Sequence, residues 1–575
     1  MIASLRPTLL FPVSRTSTEA NRTGSWRFVR PVYRFKTAPC SAACPAGIDI
    51  PTVEMLASRG QIHDAWAHIC RENPFPAVCG RVCFHPCEDA CNRAELDAPI
   101  AINALERYIG DAGLAACSPL VSPAAALLQR EVAIVGAGPA GLAAGYFLTQ
   151  LGISAEIFES TEEPGGVLRW GIPSYRLPKA VLAAEIDRIA AAGVKIHCNR
   201  PVNPDTLAEM AARYDAVLVG AGLAAPLRLN ISGEASIIDG LAFLKQVQAG
   251  SAPVASGEVA VIGGGNTAID VARTLLRQGA RPTIVYRRRR QDMPAFGHEI
   301  AAAEAEGVRI VELMAPVSAA ADGNGVRMTL QPMRAAEVGA DGRVRAVPAK
   351  QPPQEMRFKA VFSGIGAGVA EPWHRPADEA DAIRLSHCAI CRGTPTVGYI
   401  GDPVTAENSV AHAIGSGKQA AIALHALFTE GPEAVAPAVD RCRVGPGPAL
   451  SMEIYLNGER SRRNGRVVTF ADVNTDYFLR AERCAIPALA PAAAANGFEE
   501  AVATLKPRDA LAEAARCFNC GICNDCDNCR IFCPEQTILV GEGGRRSVDL
   551  DYCKGCGICT VECPRCAMDM EEESA

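Results

Sequence analysis

Hydrophobic and polar positions follow two different periods along this chain. From residue 53 to 69, VEMLASRGQIHDAWAHI places its apolar residues three or four positions apart, the period of a helix with one buried face. Twice, an all-apolar run leads through glycines into a helix and a second apolar run: EVAIVGAGPAGLAAGYFLTQLGISAEIFES from Glu131, and EVAVIGGGNTAIDVARTLLRQGARPTIVYRR from Glu258. A run without polar positions is what a strand covered on both faces requires, so each segment reads as the strand–turn–helix–strand opening of a parallel sheet. The two openings stand 127 positions apart (258 − 131) and predict two nucleotide-binding folds. A further helix is expected after Gly401. Pro- and Ala-rich stretches, CSPLVSPAAALLQ from Cys117 and the region 430–450, read as boundaries, and 450–510 carries the least pattern.

At 575 residues the chain exceeds what one core of roughly 250–300 residues can organise, so several domains are expected. Apolar residues at 49% and charged residues at 21% suit a globular protein. A net charge of −6 gives nucleic acid no electrostatic reason to bind. No apolar run reaches the length of about 18 residues that a membrane span needs. The opening MIASLRPTLLFPVSRTST lacks a signal-peptide core and a small-residue cleavage site, so a cytoplasmic location is expected. The 24 cysteines crowd toward the two ends, which favours metal clusters over a disulfide framework.

In the first opening, Gly136, Gly138 and Gly141 fit G-x-G-x-x-G around Pro139 and Ala140. Such glycines permit a tight turn, approach of backbone to a pyrophosphate and close helix packing, with the helix N-terminus facing the phosphates. Glu159 ends the next strand, where a carboxylate accepts hydrogen bonds from a ribose diol. The second loop has Gly263, Gly264 and Gly265, then Asn266 and Thr267, with Ala268 in the third glycine place. Its second strand ends in Tyr286 and four arginines, with no acid. Arg287 and Arg288 suit a 2′-phosphate and hence NADP rather than NAD, the alternative being a solvated basic loop.

At the tail, Cys523, Cys526, Cys529 and Cys533-Pro534 fit C-x2-C-x2-C-x3-C-P, and Cys553, Cys556, Cys559 and Cys563-Pro564 repeat it. This is the two-cluster ferredoxin pattern, in which the fourth cysteine of each run serves the other cluster. The expected sets are Cys523, Cys526, Cys529 with Cys563, and Cys553, Cys556, Cys559 with Cys533. Zinc ribbons use separated pairs instead. Cys517, Cys520 and Cys566 are surplus, and a register beginning at Cys517 or Cys520 is the alternative. The front carries Cys40, Cys44, Cys79, Cys83, Cys87 and Cys91.

Taken in order, GAGPAGL, EEPGGVLRWGIPSYRLPK, VIGGGNTAIDVARTLLRQGA, VYRRRRQDMPA and GDPVTAENSVAHAIGSGKQAA resemble the small subunit of glutamate synthase and its relatives, over about residues 40–421. The relatives include the flavin–pyridine part of dihydropyrimidine dehydrogenase and the large subunit of electron-bifurcating transhydrogenases. The resemblance implies FAD on the first loop, Glu159, the Gly165-Gly166 turn, Arg176, Gly401 and Asp402, and NAD(P)H on the second loop. It also implies two N-terminal [4Fe-4S] clusters, beginning with a C-x2-C for which RFKTAPC stands here. Mapped residue by residue, Cys44, Cys83, Cys87 and Glu106 surround one cluster, with Cys79 or Cys91 as the alternative to Glu106. Cys40 and Cys91 remain from the depleted one.

The expected fold is therefore α/β in several parts: an N-terminal helical iron–sulfur domain (1–125) and a split FAD domain (126–252 and 395–430) with an NAD(P) domain inserted (253–394). A linker region (431–510) and a bacterial ferredoxin-like domain (511–575) follow. The expected function is transfer of electrons between NAD(P)H and a partner, another redox enzyme subunit or a ferredoxin-type carrier, within a hetero-oligomeric complex. Flavin is needed where hydride meets one-electron clusters, and no side chain is assigned a catalytic role. The partner classes implied are glutamate synthase-like, 2-oxoacid, aldehyde or sulfite oxidoreductases. The rivals are a stand-alone dithiol reductase, for which Cys388-x2-Cys391 is the nearest motif, and an iron–sulfur scaffold. His298 and Glu299 are expected as solvated polar residues.

Overall fold

The computed structural model describes residues 22–117, 119, 127–252, 256–323, 325–339, 344–377, 381–393, 396–405 and 407–573. The opening 18 residues and most of the 117–129 boundary lie outside the described residues. Two compact units form. The larger takes in Pro39–Ser461 and Ala481–Cys517; the smaller takes in the chain up to Ala38, Arg462–Arg480 and the chain from Phe518 onward.

The larger unit begins with short helices, Pro39–Ala43, Ile50–Ser58, Ile62–Cys70, Pro76–Val82, Pro86–Asp89 and the longer Ile102–Ala115. Several start on proline, whose fixed φ suits the first helical position. Pro76–Val82 and Ile102–Ala115 approach at Gly80, where a Cβ would stand 2.3 Å from the Arg107 amide nitrogen. That closeness brings Cys79 and Cys83 to the helix that carries Glu106.

Two parallel sheets follow. The first runs Ala382–Arg384, Cys388–Cys391, Thr396–Ile400, Ala216–Val219, Glu131–Val135, Ser154–Phe158, Lys195–His197, parallel except at the edge formed by the first two. The second runs Arg309–Val311, Ala280–Val285, Gly257–Ile262, Ala360–Ser363, Ile238–Asp239 and is parallel throughout. The chain leaves the first sheet after Val219, builds the second, and returns by Ala382, so the second domain is inserted in the first. The boundary expected at 394/395 falls between Cys388–Cys391 and Thr396–Ile400, and the hydrogen bonds place both strands in the first sheet. Each central strand is covered on both faces: Val132, Ala133, Ile134, Val259, Ala260 and Val261 are all fully buried. The returning helix Val410–Glu430 lies on the first glycine helix, with Gly417 against the Ala140 carbonyl.

In the smaller unit Val29–Tyr33 pairs antiparallel with Met568–Glu572, and Ile538–Val540 with Arg546–Val548. Ile538 and Met568 form a small core with Cys529 and Cys559. Among the described residues no helix is long and apolar enough to cross a membrane.

Candidate cofactor sites

Both glycine loops have the shape their spacing requires. Gly136 takes φ 98° and Gly263 φ 138°, a region closed to most side chains, and a Cβ on either would strike a carbonyl of the neighbouring strand's loop, Gly220 or Gly364. Gly138 and Gly265 cap the helices Pro139–Gln150 and Asn266–Arg277, and no atom lies within 4 Å of where their Cβ would be. Each helix start is thus open to an anion, as a pyrophosphate needs.

Around the first loop the implied flavin residues converge. The Gly165 amide donates to the Ala137 carbonyl at 2.8 Å. A Cβ on Gly401 would stand 3.1 Å from that of Ala140, and the Gly401 amide donates to Ser416 Oγ at 2.8 Å. Burial pushes the neighbouring Asp402 carboxyl up to about 6. Glu159 is buried and accepts from the amides of Ala137 and Thr161, both at 2.8 Å, so it braces the loop whatever it holds. Arg176 is paired with Asp270 at 2.8 Å and Glu299 at 2.9 Å. A guanidinium this buried needs carboxylates around it, and these tie the SYRLPK loop to the second glycine helix. Glu299 is accordingly buried between Arg176 and Arg273, against the expectation of a solvated residue. His298 stacks on Phe296 at 5.9 Å and faces His85 at 5.6 Å.

At the second loop Asn266 Oδ1 accepts from the Phe296 amide at 3.0 Å, and Thr267 follows in the first helical turn. The four arginines divide into two pairs. Arg289 is held by Asp292 at 2.8 Å and Arg290 by Glu304 at 2.6 Å. Among the described residues Arg287 and Arg288 have no carboxylate within ion-pair distance, Arg288 acting on Asp292 only from farther off, and Arg288 Nε is buried without a hydrogen bond. This is the donor set a 2′-phosphate would use.

The front cysteines fall into a group. Glu106 and Cys44 each act on the charge of Cys83, Cys44 and Cys83 on Cys87, and Glu106 on Cys44 and Cys79. Glu106 is held by Asn73 Nδ2 at 2.9 Å, and burial raises its carboxyl to about 8. Backbone amides point at several of these sulfurs: Ala46 and Ile48 at Cys44, His85 at Cys83 (3.3 Å), Arg93 and Ile100 at Cys91. Amide dipoles stabilise thiolates, and thiolates are what a cluster binds. Cys388 receives nothing of the kind and is raised by burial alone. It and Cys391 are three apart on one strand and so face opposite ways, which removes the dithiol motif.

The tail cysteines line two cavities. One is lined by Cys523, Cys526, Cys529 and Cys563, the other by Cys553, Cys556, Cys559 and Cys533. The fourth cysteine of each run has crossed to the other cavity, and neither cavity includes Cys517, Cys520 or Cys566. Amides of Thr537 and Ala567 donate to Cys533 and Cys563 at 3.4 and 3.3 Å. Among the described residues no group of three or more His, Cys, Asp or Glu is arranged for a single metal ion. Two residues near the tail sites escaped sequence reasoning. Tyr33 places its hydroxyl 3.3 Å from Cys529 Sγ, and Lys36, fully buried, donates to the Cys566 carbonyl at 2.7 Å and pairs with Asp569 at 2.9 Å. Both come from a strand and loop some 500 positions away, with no local pattern to flag them.

Residues 28–117 match the family described as dihydropyrimidine dehydrogenase domain II, 4Fe-4S cluster, and residues 130–356 match pyridine nucleotide-disulphide oxidoreductase. The chain is 36% identical over 487 residues to the NADP(+)-dependent formate dehydrogenase subunit beta of Moorella thermoacetica, covering 77% of this chain and 68% of that one. It is 37% identical over 351 residues to the NADPH-Fe(3+) oxidoreductase subunit beta of Geobacter sulfurreducens, covering 58% and 52%. With the NAD-dependent dihydropyrimidine dehydrogenase subunit PreT of Escherichia coli it shares 35% over 396 residues, covering 68% and 90%. The chain thus spans about two thirds of the first of these relatives and half of the second. Two open nucleotide loops, amide-directed cysteines and these relatives lead to one conclusion: the chain belongs to the glutamate synthase small-subunit-like family of FAD-, NAD(P)- and [4Fe-4S]-dependent oxidoreductase subunits, here with a ferredoxin-like tail.

Proposed function

We propose that this chain exchanges electrons between NADPH and a separate redox enzyme, with the two-cluster tail as the point of exchange. The observation that carries the reading is the coexistence, in one chain, of two open glycine loops and two four-cysteine cavities with crossed ligand sets. A bound FAD would supply the conversion between two-electron nicotinamide chemistry and one-electron iron–sulfur chemistry, which no side chain provides. The protein's part is to bind and orient. Gly136–Gly141, Gly165-Gly166, Glu159, Gly401 and Asp402 would hold FAD; Gly263, Gly265, Asn266, Thr267, Arg287 and Arg288 would hold NADPH. Cys44, Cys83, Cys87 and Glu106 would take one front cluster, with Cys79 as the nearby alternative to Glu106.

Relatives named for formate, iron(III) and dihydropyrimidine chemistry support a shared electron-input role joined to different partners, so the partner here is a second oxidoreductase subunit rather than a small substrate. A hetero-oligomer in the cytoplasm accords with this. Stand-alone dithiol reduction loses its motif once Cys388 and Cys391 face apart.

Anaerobic titration of the full chain with NADPH tests the reading. The expected result is bleaching of the flavin and reduction of tail clusters, with Cys526→Ala and Cys556→Ala each losing about four irons and keeping NADPH-to-dye activity. Tail clusters that NADPH never reduces, in the chain alone or with co-purifying subunits, refute it.

A further inference from the structure

Within the larger unit one side chain meets all three of its parts. Phe84 stands between Cys83 and Cys87, in the turn that joins helix Pro76–Val82 to helix Pro86–Asp89. The turn is held at both ends: His85 takes φ 44°, its amide donates to Cys83 Sγ at 3.3 Å, and its Nδ1 lies 3.0 Å from the Cys83 carbonyl. From this fixed backbone the Phe84 ring lies 6.1 Å from that of Phe296, with 13° between planes, and 5.7 Å from that of His412, with 17°. Both distances fall in the range of offset stacking, so Phe296, Phe84 and His412 form one stack.

The outer rings belong to the two nucleotide domains. Phe296 precedes helix Gly297–Glu306, and its amide donates at 3.0 Å to Oδ1 of Asn266, the first residue of the second glycine helix. His412 is buried in the first turn of helix Val410–Glu430, where Ser409 Oγ accepts from its amide, and that helix packs on the first glycine helix. Two more contacts hold the same stretch of the NAD(P) domain. Glu299 pairs with Arg176 of the SYRLPK loop at 2.9 Å, and His298 faces His85 at 5.6 Å. The segment 296–299 is therefore fastened on one side by ion pairs to the flavin domain and on the other by rings to the cysteine turn.

We propose that Phe84 is a positioning residue for reduction of the flavin by NADPH: its ring fixes how the domain of the second loop faces the domain of the first. That reduction moves one hydride, two electrons with one proton, from the nicotinamide, which is oxidised, to the flavin, which is reduced. A misplacement of about 1 Å can cost a step of this kind about 100-fold. The ion pairs of Arg176 alone leave rotation about one point, and the stack is the second point that removes it. A residue of the cysteine-bearing front thereby governs a step carried out by the other two domains. The proposal rests on the reading of the two loops as NADPH and FAD sites. A wild-type chain whose FAD is not reduced by NADPH would show that reading to have failed, and the exchange measurement below would still decide this one.

The test compares wild type, Phe84→Ala, Phe84→Tyr and Phe296→Ala in the full, anaerobically reconstituted chain. Without nucleotide, amide hydrogen exchange over 296–306 should be faster in Phe84→Ala than in wild type, while exchange over 139–150 stays the same. In stopped flow, the limiting rate of flavin bleaching at saturating NADPH should fall about 10- to 100-fold in Phe84→Ala, with the half-saturating NADPH concentration unchanged. Phe296→Ala should behave alike, and Phe84→Tyr, which keeps the ring, should restore both the rate and the exchange pattern. Wild-type exchange and a wild-type limiting rate in Phe84→Ala overturn the proposal. So does a Phe84→Ala protein that loses about four irons while Phe296→Ala keeps the wild-type rate, because Phe84 would then serve the cysteine turn alone.

Discussion

Arg288→Ala is the sharpest probe of nucleotide choice. Of four consecutive arginines, Arg289 and Arg290 are already committed to Asp292 and Glu304, so they contribute little to an incoming phosphate. Arg288 has a buried Nε with no protein partner, and Arg287 is exposed. A hydrogen bond to a charged group contributes about 1.5–3 kcal/mol. At about 1.4 kcal/mol per factor of ten, loss of the Arg288 contact should lower kcat/KM for NADPH by about 10- to 150-fold. An exposed charge is screened by salt, so Arg287→Ala should cost less, about 2- to 5-fold, and more at low ionic strength. NADH has no 2′-phosphate, so its kcat/KM should not change in either variant. The assay is steady-state reduction of an artificial dye with each nucleotide, with Arg290→Ala as the control. An unchanged NADPH/NADH ratio in Arg288→Ala, or an equal loss in Arg290→Ala, would refute the assignment of these arginines to the phosphate.

Two further outcomes concern stability. Lys418 and Glu72 form a buried pair, Lys418 Nζ also donating to the Ala46 and Leu450 carbonyls at 2.6 and 3.0 Å; Lys418→Met strands a buried carboxylate and should cost about 3–5 kcal/mol in urea unfolding, and a cost under about 1 kcal/mol would mean Arg460 alone satisfies Glu72. Burial beside Arg169 lowers Lys179 to about 7, against about 10.4 in an unfolded chain. Between those values the unfolded state binds more protons, so stability should rise with pH from about 7 to 10, and Lys179→Met should flatten that part of the profile. A wild-type slope that persists in the variant assigns it to another group.

Much of this protein was legible in the residues themselves, because the features concerned are local. A glycine needed for φ 98° at Gly136, an open helix start at Gly138 and a C-x2-C-x2-C-x3-C-P run are all properties of a few consecutive residues, and they announce themselves by spacing. The crossing of Cys533 and Cys563 between cavities was legible for the same reason, since the repeat of one run implies the exchange. Burial and long-range pairing were not. Glu299 looks like a surface residue until Arg176 and Arg273, from two other segments, close on it. Cys388-x2-Cys391 looks like a dithiol until the strand sends its side chains to opposite faces. Val29–Tyr33 shows no partner in its own sequence, because strand pairing with Met568–Glu572 depends on backbone hydrogen bonds that any apolar strand offers. The sequence by itself determined the cofactor classes and the two loops that hold nucleotides. Only the tertiary structure decided which arginines remain free for a phosphate, which carboxylates are spent on ion pairs, and that Phe84 stacks between Phe296 and His412. Those outcomes depend on which distant groups meet once the chain is compact, and nothing within a short window of sequence records such meetings.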